Sequence, residues 1–110
     1  MTLRRQEKLS ELYRRASNDF LHDNISLENG IFSVTNVELS EKLNRLKIYF
    51  SVWPDQKEAD VIKSLKILKR DLRKELASKI NTKFSPEVEF VLDESEKKRL
   101  RIEELLKKGK

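Results

Sequence analysis

The sequence predicts an α+β two-layer sandwich in which two helices cover one face of a three-stranded sheet. Three observations lead to this fold class. Two segments repeat apolar residues at helical spacing, and three shorter segments have the composition or alternation of strands. These segments follow the order helix, strand, strand, long helix, strand, and a charged tail helix ends the chain. Because each strand has an apolar face that needs a cover, the helices are expected to supply it.

The first helix is expected over residues 3–22. Apolar side chains recur there at the i, i+3, i+4, i+7 spacing of an amphipathic helix, which predicts one face packed against the sheet. Asp23-Asn24 is expected to end the helix, because Asn tolerates the left-handed conformation that often follows a helix. The expected apolar face consists of Leu9, Leu12, Tyr13, Ala16 and Phe20.

Two strands with a short connection are expected to follow. Residues 31–39 are rich in β-branched side chains, and residues 40–44 form a polar link of hairpin length. Residues 45–53 alternate strictly, as a half-buried strand does. One side of this second strand carries Leu46, Ile48, Phe50 and Val52, and the other carries Lys47, Tyr49, Ser51 and Trp53.

A long helix and a third strand complete the predicted sandwich. Asp55 is predicted to cap the helix, with Glu58 three residues later as in a capping box. Apolar residues then recur at helical spacing over residues 61–80. Pro86 opens the third strand, which a helical crossover should place parallel to the second strand with a right-handed connection.

This order of elements matches the K-homology domain in its type II arrangement, with one sheet face open to solvent. We therefore expect a K-homology-like domain over residues 1–93 and a charged C-terminal helix or tail over residues 94–110. The tail keeps a narrow apolar stripe, so it is expected to pack weakly or to dock on a partner. The stripe consists of Ile102, Leu105 and Leu106.

Several short motifs in these elements resemble those of the ribosome-binding factor A family. The strand pair of that family is similar to residues 34–40 and 46–52, with Leu43 between them. Its third strand is similar to residues 85–90. Its closing motif, an Asp-x-Ser spaced from Arg-Ile-x-x-Leu-Leu, resembles Asp93, Ser95, Arg101, Ile102, Leu105 and Leu106.

The resemblance covers residues 8–106 and includes one departure, in the long helix. Lys8-Leu9 stands where the family usually has Arg-Val. The family typically breaks the long helix with a kink containing Ala-x-Gly, whereas the matching residues 68–70 are Leu-Lys-Arg. Because Gly destabilises a helix interior by roughly 1 kcal/mol relative to Ala, its absence predicts a less kinked, continuous helix. The Gly-x-x-Gly loop with which ordinary K-homology domains clamp single-stranded backbone is also missing.

The composition favours a polyanionic partner. There are 24 Lys and Arg residues against 19 Asp and Glu, which gives a net charge of +5. RNA, DNA and an anionic membrane would each suit this balance, as would a soluble protein that is simply basic. Without cysteine, disulfides, thiol chemistry and cysteine metal sites are excluded. No signal peptide or membrane span is predicted, so a cytoplasmic protein is expected.

The basic residues are concentrated on the long helix. Residues 63–83 include eight basic and two acidic residues, and a turn of about 100° per residue places the two signs on opposite flanks. A solvated helix usually interleaves its charges, because opposite charges four residues apart stabilise one another. We interpret the basic flank as an RNA-backbone surface, with a solvated face as the alternative. The candidate residues are Lys63, Lys66, Lys69, Arg70, Arg73 and Lys74.

Further candidates for RNA contact lie outside the long helix. Arg4, Lys8 and Arg15 share one sector of the first helix, although acidic residues interrupt it. Lys42 and Arg45 lie at the hairpin connection, where an ordinary solvated turn is an equal alternative.

Two aromatic residues, Tyr49 and Trp53, are expected on the open face of the sheet. Exposed aromatic side chains can stack on unpaired bases. More often they shield neighbouring strands or pack under another element, and here the tail helix is the expected cover.

No catalytic, metal or cofactor site is expected. Asp93, Glu94 and Glu96 fit capping of the tail helix better than a cation site, since carboxylates stabilise the positive end of a helix dipole. The single histidine, His22, lies near a helix C-terminus with no nucleophile arrangement beside it. Two glycines cannot supply a Gly-rich phosphate loop.

The residues alone predict a small basic α+β domain that binds RNA. The resemblance implies the partner and role: a monomeric factor that binds the immature small (30S) ribosomal subunit, assists late maturation and processing of its ribosomal RNA, and leaves before translation begins. A membrane, a small-molecule substrate and enzymatic activity are not expected. Two alternatives stay open, a generic nucleic-acid module without small-subunit preference and a protein–protein adaptor that docks through the tail helix.

Overall fold

A computed structural model describes residues 2–82 and 85–108 and confirms the predicted α+β class. The helices and strands follow the expected order, and the additional short element is a 3-10 turn, Asp55–Lys57, ahead of the long helix. Their bounds are α1 Thr2–Asn24, β1 Ile31–Leu39, β2 Arg45–Trp53, α2 Glu58–Lys79, β3 Glu87–Leu92 and α3 Ser95–Lys108.

The three strands form one sheet in the order β1-β2-β3. β1 pairs antiparallel with β2, from Ile31 opposite Trp53 to Leu39 opposite Leu46. The register of this pair shifts between residues 34 and 36, which marks a β-bulge. β3 pairs parallel with β2, as the helical crossover predicts.

The core lies between the sheet and the two helices α1 and α2. The apolar side of β2 is buried as its alternation predicts, and α2 buries a continuous apolar face opposite to it. Burial of each such side chain contributes roughly 1.5–3 kcal/mol. From α2 the buried residues are Val61, Leu65, Leu72 and Leu76, and from β2 they are Leu46, Ile48, Phe50 and Val52.

The apolar face of α1 differs from the predicted one. Leu12 is 50% exposed, whereas Ser17 and Leu21 are fully buried. The buried residues of α1 follow the four-residue spacing from Tyr13 to Ser17 to Leu21, and Leu12 lies at the rim of that stripe. The prediction included Leu12 because it is hydrophobic and left out Ser17 because it is polar. The position of each residue on the helix, rather than its polarity, decides which of the two is buried.

The end of α1 is also formed differently. Asn24 is the last residue of the helix, but it does not adopt the left-handed conformation. Instead its side-chain amide donates to the Phe20 carbonyl at 2.8 Å, and the Ile25 amide donates to the Leu21 carbonyl at 2.8 Å. These bonds satisfy carbonyls of the last turn that would otherwise lack partners.

The start of α2 differs from the prediction, which placed the N-cap at Asp55. The chain enters α2 through the 3-10 turn, in which the Glu58 amide donates to the Asp55 carbonyl. The residue at the N-cap position is therefore Lys57, which has helical backbone angles and makes no side-chain capping bond. From Glu58 onward, α2 runs for 22 residues without a break, as expected from the absence of Gly at residues 68–70.

Helix α3 follows β3 after two residues and makes no extended contact with another described helix or strand. Its apolar stripe is open to solvent, with Ile102, Leu105 and Leu106 exposed by 58%, 63% and 67%. The expectation that this helix covers the aromatic residues of the sheet is wrong for Trp53, which is 64% exposed. Among the described residues, no helix has the length and apolar character that crossing a membrane requires.

Candidate nucleic-acid interface

An open groove of about 510 Å³ runs along the exposed side of α2, next to the segment that leads into β3. Its cations stand at positions i, i+3, i+4, i+7 and i+8 of the helix, which helical periodicity brings to one side. We call this feature the basic groove, and its described lining residues are Lys66, Lys69, Arg70, Arg73, Lys74, Ala77 and Ser85.

The charge of the basic groove is not balanced from within, since none of its described lining residues is acidic. The acidic residues of α2 are placed elsewhere. The Glu75 carboxylate lies 3.7 Å from the Lys79 ammonium. Asp60 lines a separate cleft, which Lys57 also lines. Five like charges in one groove repel one another, so an anion that enters relieves this repulsion.

Two smaller clefts adjoin the basic groove and share its lysines. One, of about 300 Å³, lies between α2 and β3 and is mostly apolar; Lys66 and Lys69 border it together with Ile62 and Phe90. The other, also about 300 Å³, brings Arg45 of β2 to the same region as Lys69, beside two glutamates of β3. Arg45 is thus near the basic groove, although carboxylates share its surroundings.

The remaining candidates on α1 and the hairpin are exposed and lie outside the groove lining. These residues are Arg4, Lys8, Arg15, Lys42 and, on α2 itself, Lys63. The Arg15 guanidinium lies 3.1 Å from the Glu11 carboxylate. The hydrogen bond from Arg14 is the largest cause that lowers the pKa of Glu11 to about 2, with Arg15 adding to it. This fixed negative charge offsets part of the positive charge on that side of α1.

Sequence reasoning missed two lining residues of the groove. Ala77 is four residues after Arg73, so helical spacing alone could have found it. Ser85 is not on α2, and only the parallel placement of β3 brings its segment beside the helix. No pattern in the sequence around Ser85 indicates that contact.

On the open face of the sheet, the Tyr49 hydroxyl donates to the Glu38 carboxylate at 2.9 Å. This bond, with further contributions from burial and nearby carboxylates, raises the pKa of Tyr49. Trp53 instead has an exposed ring, opposite the exposed Ile31 of β1. Tyr49 is therefore held by its neighbours, whereas Trp53 has a surface available for contact.

Asp93, directly after β3, organises the start of α3. The Asp93 carboxylate accepts hydrogen bonds from the Ser95 hydroxyl at 2.6 Å, the Ser95 amide at 3.0 Å and the Thr35 hydroxyl at 2.7 Å. These bonds lower the pKa of Asp93, those from Ser95 most. Within the described ranges, no three His, Cys, Asp or Glu side chains are arranged to hold a metal ion. His22 packs against Phe32, with ring centroids 5.7 Å apart.

The fold and the groove together define a small α+β protein of the type II K-homology-like class with a basic long helix. The family model described as ribosome-binding factor A matches residues 5–106, and the chain belongs to this family. A "Ribosome-binding factor A" from Halothermothrix orenii is 32% identical over 112 residues, which cover 100% of this chain and 92% of the relative. Another from Coprothermobacter proteolyticus is 31% identical over 93% of this chain and 75% of the relative.

Solved structures of the same family share the fold. The crystal structure of ribosome-binding factor A from Thermus thermophilus is 22% identical, with a TM-score of 0.66 over 79% of this chain and 93% of that one. A homology model of the Thermus thermophilus factor, fitted into a cryo-electron microscopy map of a 30S complex, also has a TM-score of 0.66, at 20% identity and the same coverage.

Proposed function

We propose that this protein binds the immature small (30S) ribosomal subunit and assists late maturation and processing of its ribosomal RNA. Membership of the ribosome-binding factor A family supports a ribosomal partner, and the 30S complex of the Thermus thermophilus factor supports the choice of subunit. The basic groove is the observation that carries the RNA contact, because five cations line it without an acidic neighbour among the described lining residues.

The contact we propose is made chiefly with the RNA backbone. Lys and Arg side chains neutralise phosphates and position a protein without reading base sequence. Lys63 lies one turn before the groove on α2, and Arg45 shares a cleft with Lys69 at its edge, so RNA in the groove would extend to both. Arg4, Lys8, Arg15 and Lys42 would supply weaker peripheral contacts, since they stand outside the groove and Glu11 offsets Arg15.

We further propose that the protein acts by binding rather than by catalysis, as a monomer in the cytoplasm. The energy for its release from the subunit would then come from another factor or from the maturation of the RNA itself. The names of the relatives, which describe binding and no reaction, support this interpretation.

The proposal is tested by sedimenting the protein with mature small subunits, assembly precursors, large subunits and a control RNA, at two salt concentrations. We expect co-sedimentation with small subunits or their precursors that survives the higher salt. Equal binding to every particle and RNA, lost at the higher salt, would contradict the proposal and favour a generic nucleic-acid module.

The exposed stripe of α3 favours a second candidate function, a protein–protein adaptor. An amphipathic helix can place its apolar side chains in the groove of a partner, and the α3 stripe is exposed for such a contact. We propose residues 94–110 as a unit separate from the domain over residues 1–93. If α3 is the main contact, deletion of residues 94–110 abolishes binding to the partner and charge reversal in the basic groove has little effect. If the basic groove is the main contact, charge reversal at Lys66, Arg70 and Arg73 abolishes binding to the partner.

A further inference from the structure

Two polar atoms that belong to lining residues of the basic groove are buried without a hydrogen-bond partner. They are Nε of Arg73 and Oγ of Ser85. Among the described residues, the only other side-chain atom in this state is Oγ of Ser17 in α1. Native proteins satisfy nearly all buried polar groups, so two such atoms among the lining residues of one groove are donors that the protein itself does not use.

The chemistry of these atoms determines what the ligand must offer. An arginine Nε–H is a donor only, and a serine hydroxyl can donate along a freely rotating bond. The other described lining side chains are cations and the methyl group of Ala77, so the Ser85 oxygen is the one side-chain acceptor among donors and positive charge. A ligand with at least two anionic oxygens therefore satisfies both atoms at once.

We propose that Arg73 and Ser85 form a seat for one phosphodiester of the RNA backbone, within the basic groove that the proposed function assigns to RNA. One phosphate oxygen accepts from the Arg73 Nε–H and the other accepts from the Ser85 hydroxyl. The remaining cations of the groove hold the adjoining phosphates. The groove has a volume typical of sites that bind a ligand of about nucleotide size or larger. Because it is open, an RNA strand can run through it and extend beyond both ends.

The two seat residues are held by rigid parts of the fold. Ser85 precedes Pro86, which is fully buried, and a residue before proline is restricted to extended backbone. Arg73 follows Leu72 and precedes Leu76, both fully buried, in the middle of unbroken α2. Both side chains are half-buried, so a change of rotamer at either one turns its donor toward the groove without moving the backbone. The backbone that carries the two donors is thus fixed before an anion binds, and only the side chains have to turn.

The seat predicts opposite effects of one substitution on folding and on binding. Ser85→Ala removes a buried hydroxyl that lacks a partner, so the melting temperature should stay the same or rise. The same substitution should weaken phosphate binding about tenfold, the loss expected for one hydrogen bond to a charged group. Ser78→Ala is the matched control, because Ser78 is exposed on α2 and its hydroxyl donates to the Glu75 carbonyl outside the groove.

Arginine side-chain signals in nitrogen-15 NMR spectra of the full chain test the seat directly, with dimethyl phosphate as the probe and sodium chloride at equal ionic strength as the reference. We expect a saturable shift of the Arg73 Nε–Hε signal and of the Ser85 amide, and none at Arg101, which is exposed on α3. Arg73→Lys, which keeps the charge and loses the guanidinium fork, should weaken binding at least tenfold. Equal, non-saturating shifts at Arg73 and Arg101, or binding of dimethyl phosphate that Ser85→Ala and Arg73→Lys both leave unchanged, would overturn the proposal.

The same variants are then sedimented with small subunits, which separates this inference from the proposed function. We expect Ser85→Ala and Arg73→Lys each to bind about tenfold more weakly than the unmodified protein, and Ser78→Ala to bind equally well. If the unmodified protein binds small subunits and the two seat variants bind them as tightly, the seat is wrong and the function stands. If dimethyl phosphate occupies the seat and small subunits do not bind, the function is wrong and the anion seat stands.

Discussion

Helices α2 and α3 are both rich in charged residues and both carry leucines at helical spacing, yet the leucines of α2 are buried and those described on α3 are exposed. α2 connects two strands of one sheet, so both of its ends are fixed and its apolar face is pressed onto the core. α3 follows the last strand, and among its described residues Ser95 is bonded to Asp93 at the start of the helix. A similar amphipathic pattern thus yields a buried helix or an exposed one, according to which neighbours the topology supplies.

Because α2 has a buried apolar face and α3 an exposed one, the two helices can bind different kinds of partner. On α2 the buried leucines orient the opposite side, so its cations are gathered in one groove. On α3 the apolar stripe itself remains exposed. α2 is therefore suited to an anionic surface that is already formed, whereas α3 is suited to an apolar groove on a protein.

The largest effect that tests this comparison is on stability. Leu72→Ala should lower the free energy of unfolding by about 2–5 kcal/mol, because it leaves a cavity at a fully buried position. Leu105→Ala on α3 is the matched control, and it should change the free energy by less than about 0.5 kcal/mol, since the side chain is exposed. Urea denaturation measures both. A comparable loss from Leu105→Ala would mean that α3 packs on the domain in solution.

A smaller effect is expected on the salt dependence of binding. Arg70→Gln should weaken binding to small subunits severalfold and reduce the slope of log affinity against log salt by roughly 0.7–0.9, the value for one lost phosphate contact. Arg101→Gln, which removes the same charge from α3, should leave the slope unchanged. Co-sedimentation over a series of salt concentrations measures the slopes. Equal changes in the two variants would show that net charge, rather than the groove, governs the contact.

The smallest expected effect concerns the attachment of α3. The pKa of Asp93 is lowered in the folded chain, so the carboxylate contributes stability above its ordinary pKa of about 3.8 and loses that contribution as the pH falls through the lowered value. Acidification should therefore loosen the first turn of α3 while α2 stays intact. In NMR spectra, the carbon-13 shift of the Asp93 carboxyl reports its protonation, and the carbon-13 shifts of the Ser95 backbone report the loosening of α3.

Thr35→Ala provides the matching variant, because it removes one donor to the Asp93 carboxylate and leaves the bonds from Ser95 in place. We expect the pKa of Asp93 to rise toward its ordinary value and the loosening of α3 to begin at a higher pH. An unchanged titration of Asp93 would show that Thr35 does not hold the carboxylate in solution.

Elements with a strong local pattern were predictable from the sequence. The strict alternation of β2 predicts its bounds and its buried face, and the helical crossover predicts the parallel pairing of β3. The grouping of the groove cations also follows from one periodicity on one helix. In each case a single segment contains the pattern, so no knowledge of distant contacts was needed.

Features that depend on contacts between distant segments could not be predicted in this way. Ser85 reaches the groove only through sheet pairing, and Trp53 is exposed although the tail helix was expected to cover it. At the predicted cap, Asp55 fits a capping box by spacing, but the chain adopts a 3-10 turn there. Leu12 is exposed because α1 packs on the sheet through the neighbouring stripe of Tyr13, Ser17 and Leu21.

The bulge in β1 bears on how the protein behaves at high concentration. A flat outer strand with free backbone groups is a template on which a second molecule can add its own strand. Here the bulge between residues 34 and 36 bends one outer strand, and two exposed carboxylates, Glu87 and Glu89, mark the other. Both rims of the sheet therefore disfavour edge-to-edge pairing of two molecules, so we expect the protein to stay dispersed at high concentration.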